Sequence, residues 1–380
     1  MGDDMEVGHE IHWQDGAEQV VRFIIYSDTP LANWDWTASG GSEQFHIELA
    51  ERLAKRGHEV YSYAPVPWKI IYEREHKGVK WNHIDKVDTK LEGIWIIQRN
   101  PDILYAFPQP HPRQILWMSM HDFDYKIVRD GTKYPWAGEF DAVLCESASH
   151  AAYLQEEYPT ANVVVTGAGI LPERIPEVPI LPRNPKRLMW SSSATRGLPQ
   201  MLRIFKRARE EVRDLELYIA YGWESIDAAI ERGFESEKLR RFKARTLKLL
   251  EQPGVTWLGR LSTTFDVWCE YAKSGMWVYP TEFHETACNT VMEAQIFGAI
   301  PIVNPTWAVG DHTKHGVWIF GEPWSDRKVQ AEFVRAIVDM ATNPALQEQI
   351  RGPMMEDARK QFSFEDTVSR IEKMALDTTI

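Results

Sequence analysis

The run VVRFIIYSD at 20–28 is a continuous stretch of strand-forming residues with no polar alternation. A strand of that kind needs cover on both faces, which a parallel sheet flanked by helices supplies. A loop follows and closes in Gly40-Gly41, and SEQFHIELAERLAKRGHEV then sets Phe45, Leu49, Leu53 and Ala54 in helical register. Ser42 is the expected cap of that helix and Gly57 its stop. HEVYSYAP reads as the next strand, so the opening segment is a βαβ unit whose crossover should be right-handed.

The same pattern recurs. GIWIIQR (93–99), QILWMSM (114–120), DAVLCES (141–147) and NVVVTGAG (162–169) read as further strands. A proline-rich stretch at 171–187 has neither period and reads as a linker. A second series follows: RLMWSSS, LELYIAYG, VTWLGRL, MWVYP and IPIV as strands, LPQMLRIFKRAREEV and FDVWCEYAKS as helices, a helix through 286–298 and a helical tail from 329. The predicted fold class is α/β, with two doubly wound, Rossmann-like halves facing across a cleft.

At 380 residues the chain exceeds what one core usually organises. With 44% hydrophobic and 26% charged residues it is neither disordered nor fibrous. No apolar run is long enough to cross a bilayer. The acidic, polar start MGDDMEVGHEIHWQDG is unlike a secretory signal, and Cys145, Cys269 and Cys288 form no metal or disulfide spacing. A cytoplasmic location is the expectation. The net charge of −12 argues mildly against a polyanion as the main partner. Sixteen tryptophans fit either a core or a ring-stacking surface and decide nothing alone.

The chemistry concentrates in PTEFHETACNTVMEAQIFGAIP at 280–301. Glu285 stands in the loop leaving the MWVYP strand, where open α/β sheets bind ligands. A helix starting near Ala287 or Cys288 carries Glu293 about one and a half turns inside, so the two carboxyls stand roughly 10 Å apart. That is too far to share one metal ion, but it suits two ends of an elongated, hydroxyl-rich ligand. The free amides of the first helical turn lie between them and attract an anion. Carboxylate, anion site, carboxylate is an order that suits a nucleotide diphosphate sugar, with its sugar at one end, its diphosphate between and its ribose at the other.

These residues resemble the E-x7-E signature of glycosyltransferase family 4, retaining enzymes of the GT-B fold. Pro280, Thr281, Glu285, Glu293-Ala294, Gly298 and Pro301 carry the likeness, the last two in a Gly-x-x-Pro form. GGSEQFHIELAERLAKRGHEV is similar to the family's glycine loop and first helix, ILWMSMHD to the strand that presents a histidine, SSSATRGLPQMLRIFKRA to the phosphate-gripping segment, and WLGRLS to the turn that receives the base.

The resemblance implies a first domain over 1–180 on the acceptor side and a donor domain over 181–360. A terminal helix over 361–380 then crosses back to the first domain. It implies that His121 contacts the donor sugar, that Glu285 bonds sugar hydroxyls and Glu293 the ribose, and that Arg196 stabilises the leaving diphosphate. Gly40 and Gly41 would let the backbone approach the ligand, and Asn289 and Thr290 would meet phosphate oxygens. Ser191, Gly197, Gly222 and Arg260 complete the expected donor site. Trp190 and Ser191 replace a basic residue of the family pattern, and Cys288 replaces a glycine. No metal and no cofactor is expected, the nucleotide sugar being a substrate.

Asp122-Phe123-Asp124 mimics a metal-binding D-x-D, but the second half already supplies a metal-free anion site, so coincidence is the preferred reading. SEKLRRFKARTLKLL (236–250) is a basic amphipathic helix that would touch a membrane surface or, more simply, form an outer layer. The acceptor is left open (glycan, lipid, protein, small molecule or modified nucleic acid), and the resemblance implies that variable loops of the first domain, such as 29–41 and 66–92, bind it. An epimerase or phosphorylase of the same fold, or a nucleotide-sugar binding protein without turnover, are the alternatives.

Overall fold

The computed structural model describes residues 20–31, 41–66, 75–107, 114–118, 128–129, 132–133 and 139–377. The first sheet contains β1 (Arg22–Ser27), β2 (Glu59–Ala64), β3 (Glu75–His76), β4 (Val79–His83), β5 (Ile94–Gln98) and β6 (Gln114–Met118). After a small pair, β7 (Val128–Arg129) with β8 (Thr132–Lys133), it is completed by β9 (Ala142–Cys145) and β10 (Val163–Val165). Its order is β10-β9-β6-β5-β1-β2-β4-β3, and only β3 runs antiparallel to its neighbour. β1 is central, with Phe23 paired to Val60 on one side and Ile94 on the other. Every β1 residue after Arg22 is buried, as a strand covered on both faces requires.

The second sheet contains β11 (Asn184–Trp190), β12 (Glu216–Ala220), β13 (Val255–Gly259), β14 (Ser274–Tyr279), β15 (Ile300–Val303) and β16 (Val317–Trp318). Its order is β13-β12-β11-β14-β15-β16, all parallel. Strand order reverses between β1 and β5 in one sheet and between β11 and β14 in the other. Those reversals open the crevices where such sheets hold ligands.

Several local expectations are corrected. Residues 66–92, expected as a variable acceptor loop, hold β4, parallel to β2. Val79 and Trp81 of β4 are buried while Lys80 and Asn82 are half-exposed, the alternation of a strand near a sheet edge. The 171–187 linker is largely structured: Pro172–Glu177 forms a 3-10 turn with proline at its first position, and β11 begins at Asn184. Ser42 lies inside its helix, Gly41–Lys55, rather than capping it. The helix expected from Ala287 or Cys288 starts at Asn289 and runs to Ile296.

The chain returns from the second sheet to the first. Gly169 sits so close to the 362–364 backbone that a Cβ there would lie 2.7 Å from the Phe362 carbonyl. Beyond it, the Phe364–Asp377 helix places Phe364, Val368, Ile371 and Ala375 in one core with Phe45, Leu49 and Leu53. Arg56 ties that packing to Glu365 and Glu372. Five of the sixteen tryptophans, at 81, 95, 190, 268 and 277, are fully buried and serve as core residues. The basic Ser236–Leu250 helix packs Leu239, Phe242, Leu249 and Leu250 onto the second core as an outer layer.

Candidate active site between the two sheets

The loops leaving β11 and β14 meet at the second sheet's reversal point. Gly197 makes the meeting possible: its φ is +119°, and a Cβ there would lie 2.4 Å from the Pro280 carbonyl oxygen. The β14 loop is held from its other side. Asn304, just after β15, accepts from the Thr281 amide at 2.8 Å and donates to the Thr281 carbonyl at 2.6 Å. Further along, the Glu285 carbonyl accepts from the Ala308 amide, His284 stacks on Trp307, and the His312 ring bonds the Ala287 carbonyl. The loop is therefore rigid where it presents Glu285.

Glu285 is buried, and both of its oxygens accept from Arg196 Nη1 at 2.8 and 2.9 Å. The Tyr279 hydroxyl, from the last residue of β14, donates to Oε1 at 2.6 Å. Ser192 meets the same hydroxyl at 3.0 Å. Arg196 stacks on Phe283 at 4.1 Å. Only Nη1 of this guanidinium makes a hydrogen bond among the described residues, which leaves Nε and Nη2 for a ligand.

Glu293 is held by a parallel device. It is the fifth residue of the Asn289–Ile296 helix, with the Trp268 indole and the Tyr271 hydroxyl beside it. Tyr271 in turn meets Ser191 Oγ at 2.5 Å, and the Trp277 indole donates to the same oxygen at 3.2 Å. Burial pushes the Glu293 carboxyl up to about 7, against the pull of Trp268 and Tyr271. Burial also raises both tyrosines well above the ordinary range, so they act as neutral donors. Each glutamate thus has its own tyrosine, and each tyrosine its own serine from the Ser191-Ser192 turn after β11.

The helix between the glutamates opens at Cys288, whose φ of 51° lies in the left-handed region that favours glycine. This is the position where the sequence pattern substitutes cysteine for glycine. Across the gap, the Gly41–Lys55 helix of the first sheet begins directly opposite. A Cβ on Gly41 would lie 3.0 Å from the Asn289 side-chain nitrogen, and Asn289 Oδ1 is buried without a hydrogen-bond partner among the described residues. Two helix amino termini, one from each half, therefore face one space.

That space is a cavity of about 400 Å³. Its walls include Gly41, Ser191, Arg196, Gly222, Arg260, Asn289, Thr290, Glu285 and Glu293. Gly197 sits behind the wall as a packing residue. Gly40, His121 and Asp122-Phe123-Asp124 lie outside the described residues. Among the described residues no cluster of metal-ligating side chains occurs.

Four residues of this site escaped the sequence reading: Tyr271, Tyr279, Ser192 and Glu146. Tyr279 carried a signal, being a polar-tipped residue at the buried carboxyl end of a strand. Tyr271 and Glu146 carried none, since their roles depend on partners far along the chain. Glu146 follows β9 and lines the same cavity from the first half.

No protein-family model and no curated protein matches the sequence. Solved structures do match in shape. A sucrose-phosphate synthase from Thermosynechococcus elongatus superposes with a TM-score of 0.66 at 12% identity, covering 94% of this chain and 98% of that one. A trehalose 6-phosphate synthase from Burkholderia multivorans gives 0.68 at 10% identity, covering 95% and 97%. Anabaena HepE, in complex with UDP and glucose, gives 0.62 at 12% identity, covering 94% and 100%. Such likeness across nearly whole chains, together with the two sheets described above, shows that this chain has the GT-B fold of two Rossmann-like domains facing across a cleft.

Proposed function

We propose that this protein is a glycosyltransferase that moves a sugar, as a hexosyl unit, from a nucleotide diphosphate sugar to a hydroxyl acceptor, with retention and without a metal. The observation that carries the reading is one cavity bounded by two buried glutamates, with a helix amino terminus and an arginine between them. A nucleotide diphosphate sugar has the matching order of groups. Its sugar lies at Glu285, its diphosphate at Arg196 and the Asn289–Ile296 amides, and its ribose at Glu293. The rate-limiting event is cleavage of the bond to the leaving phosphate, and groups fixed in advance at the growing negative charge lower that barrier most. Arg196 meets this requirement, being fixed in place by Glu285 and Phe283. The related folds solved with UDP and glucose, or named as sugar-phosphate synthases, support the same substrate class.

Thermal-shift measurements with UDP-, GDP-, ADP- and dTDP-sugars, with and without Mg²⁺, test the reading. One nucleotide family should raise Tm, chelator should not abolish the shift, and free nucleoside diphosphate should appear only when an alcohol acceptor is added. Binding that strictly needs a divalent ion, or release that ignores the acceptor, would contradict it.

A further inference from the structure

Glu146 is a buried carboxyl that the second half of the molecule did not supply. It stands between the end of β9 and the helix Ala148–Glu157, whose cap is Ser147, accepting from the His150 amide at 3.3 Å. That helix start is tied to the other half by Asp311, which accepts from the Ser149 amide at 2.7 Å and the Ser149 hydroxyl at 3.0 Å. Glu146 is thereby held rigidly at the meeting of the two halves. Its carboxyl nevertheless has one long hydrogen bond among the described residues, 3.4 Å from the Thr286 hydroxyl to Oε2. A buried carboxyl so poorly satisfied costs stability, and packing gives no reason for it. It lines the cavity, and Thr286 is the immediate neighbour of Glu285 in the loop after β14.

We propose that Glu146 is a sugar-contacting residue, so that the glycosyl unit of the nucleotide sugar is held by two carboxyls, one from each half of the molecule. The inference rests on the transferase reading above and adds to it the first domain's share of donor recognition. The chemistry of the two groups is complementary. Glu285, paired with Arg196, only accepts hydrogen bonds, whereas a protonated carboxyl donates one and accepts others. Adjacent sugar hydroxyls, each both donor and acceptor, satisfy such a pair.

Burial raises the Glu146 carboxyl to about 8; the Thr286 hydroxyl opposes that shift and the nearby Glu285 charge adds to it. Among the described residues, the charged or titratable groups facing it are Glu285, with Arg196 behind, and His312, which faces its main chain and which burial keeps neutral. Below about 8 the group is neutral and able to donate. Above that pH it becomes a second anion beside Glu285 and loses the proton that it would donate to a sugar hydroxyl.

The test compares wild type, E146Q and E146A for nucleotide-sugar turnover and for binding of the nucleoside diphosphate alone, across pH 6–9.5. E146A should lose on the order of 10–100-fold in kcat/KM at pH 7, the value of one or two hydrogen bonds to a buried partner. E146Q, an isostere of the neutral acid, should lose no more than about threefold there and should lack the alkaline fall that wild type shows above about 8. Nucleoside diphosphate affinity should change less than about threefold in both, because the nucleotide end lies elsewhere. Turnover by E146A within threefold of wild type, an E146Q as impaired as E146A, or an equal loss of nucleoside diphosphate affinity would each overturn the assignment while leaving the transferase reading intact. A wild-type chain that neither binds nor turns over any nucleotide sugar would overturn both.

Discussion

Arg196 and Glu285 share one nitrogen and two oxygens, an arrangement that answers two needs at once. The guanidinium neutralises a carboxylate that is almost wholly buried, and its remaining N–H groups stay available for phosphate. Removing the cation leaves Glu285 with Tyr279 as its hydrogen-bond partner in a dry site, which is costly. Arg196→Ala is therefore expected to destabilise the protein by about 2 kcal/mol in urea titration and to cut nucleoside diphosphate release by at least about 100-fold. Arg196→Lys should recover the stability better than the turnover, since a point charge cannot serve Glu285 and two phosphate oxygens with one planar fork. Equal recovery of both would show that only the charge matters. At this scale the sequence was readable in part. Glu285 and Glu293 stood out by spacing and type and Arg196 by the family resemblance, but nothing in the sequence indicated that Arg196 and Glu285 would bind each other.

The elements around the site behave as one clamp. The turn after β11 and the loop after β14 touch through Gly197 and Pro280, while the two serines of that turn reach the tyrosines that hold the glutamates. A side chain at 197 meets backbone at 2.4 Å and needs a left-handed φ as well, so the two loops must part. Gly197→Ala should cost about 2–4 kcal/mol and raise KM for the nucleotide sugar more than it changes the fold, as judged by circular dichroism. A variant with wild-type Tm and KM would show that the loops tolerate separation. Element boundaries were legible to within a residue or two where the apolar residues form a clear run or a helical register, as in β1 and the Gly41–Lys55 helix. The reading failed at β4 because Val79-Lys80-Trp81-Asn82 is short and set among charges. It also failed at 171–187, because proline that ends one element can equally begin another.

For the whole molecule, the decisive piece is the chain's return. The Phe364–Asp377 helix belongs by sequence to the second half and by packing to the first, where Phe364 meets the Phe45 ring at 5.2 Å. Truncation after Gln361 would expose Phe45, Leu49 and Leu53 and leave Arg52 and Arg56 without Glu365 and, for Arg56, Glu372. Lost apolar burial alone is worth on the order of 5 kcal/mol, comparable with the stability of a typical domain. The truncated chain should show an early melting transition for the first domain, followed by hydrogen exchange, with the second domain's transition displaced much less. A single, unshifted transition would refute that division.

Local order was the sequence's own contribution. The alternation of apolar strands with amphipathic helices specified an α/β chain in two halves, and the seven-residue interval between Glu285 and Glu293 marked one helix amino terminus as the place for an anion. Both signals are short-range, set by the 3.6-residue and two-residue periods of the backbone. Only the tertiary structure decided which distant groups meet there. Ser191 reaches Tyr271 across 80 residues, Arg196 reaches Glu285 across 89, and Thr286 reaches Glu146 across 140. No periodicity encodes such pairs, because they arise from the order in which parallel strands are laid beside one another and from the closure of two halves on one cavity.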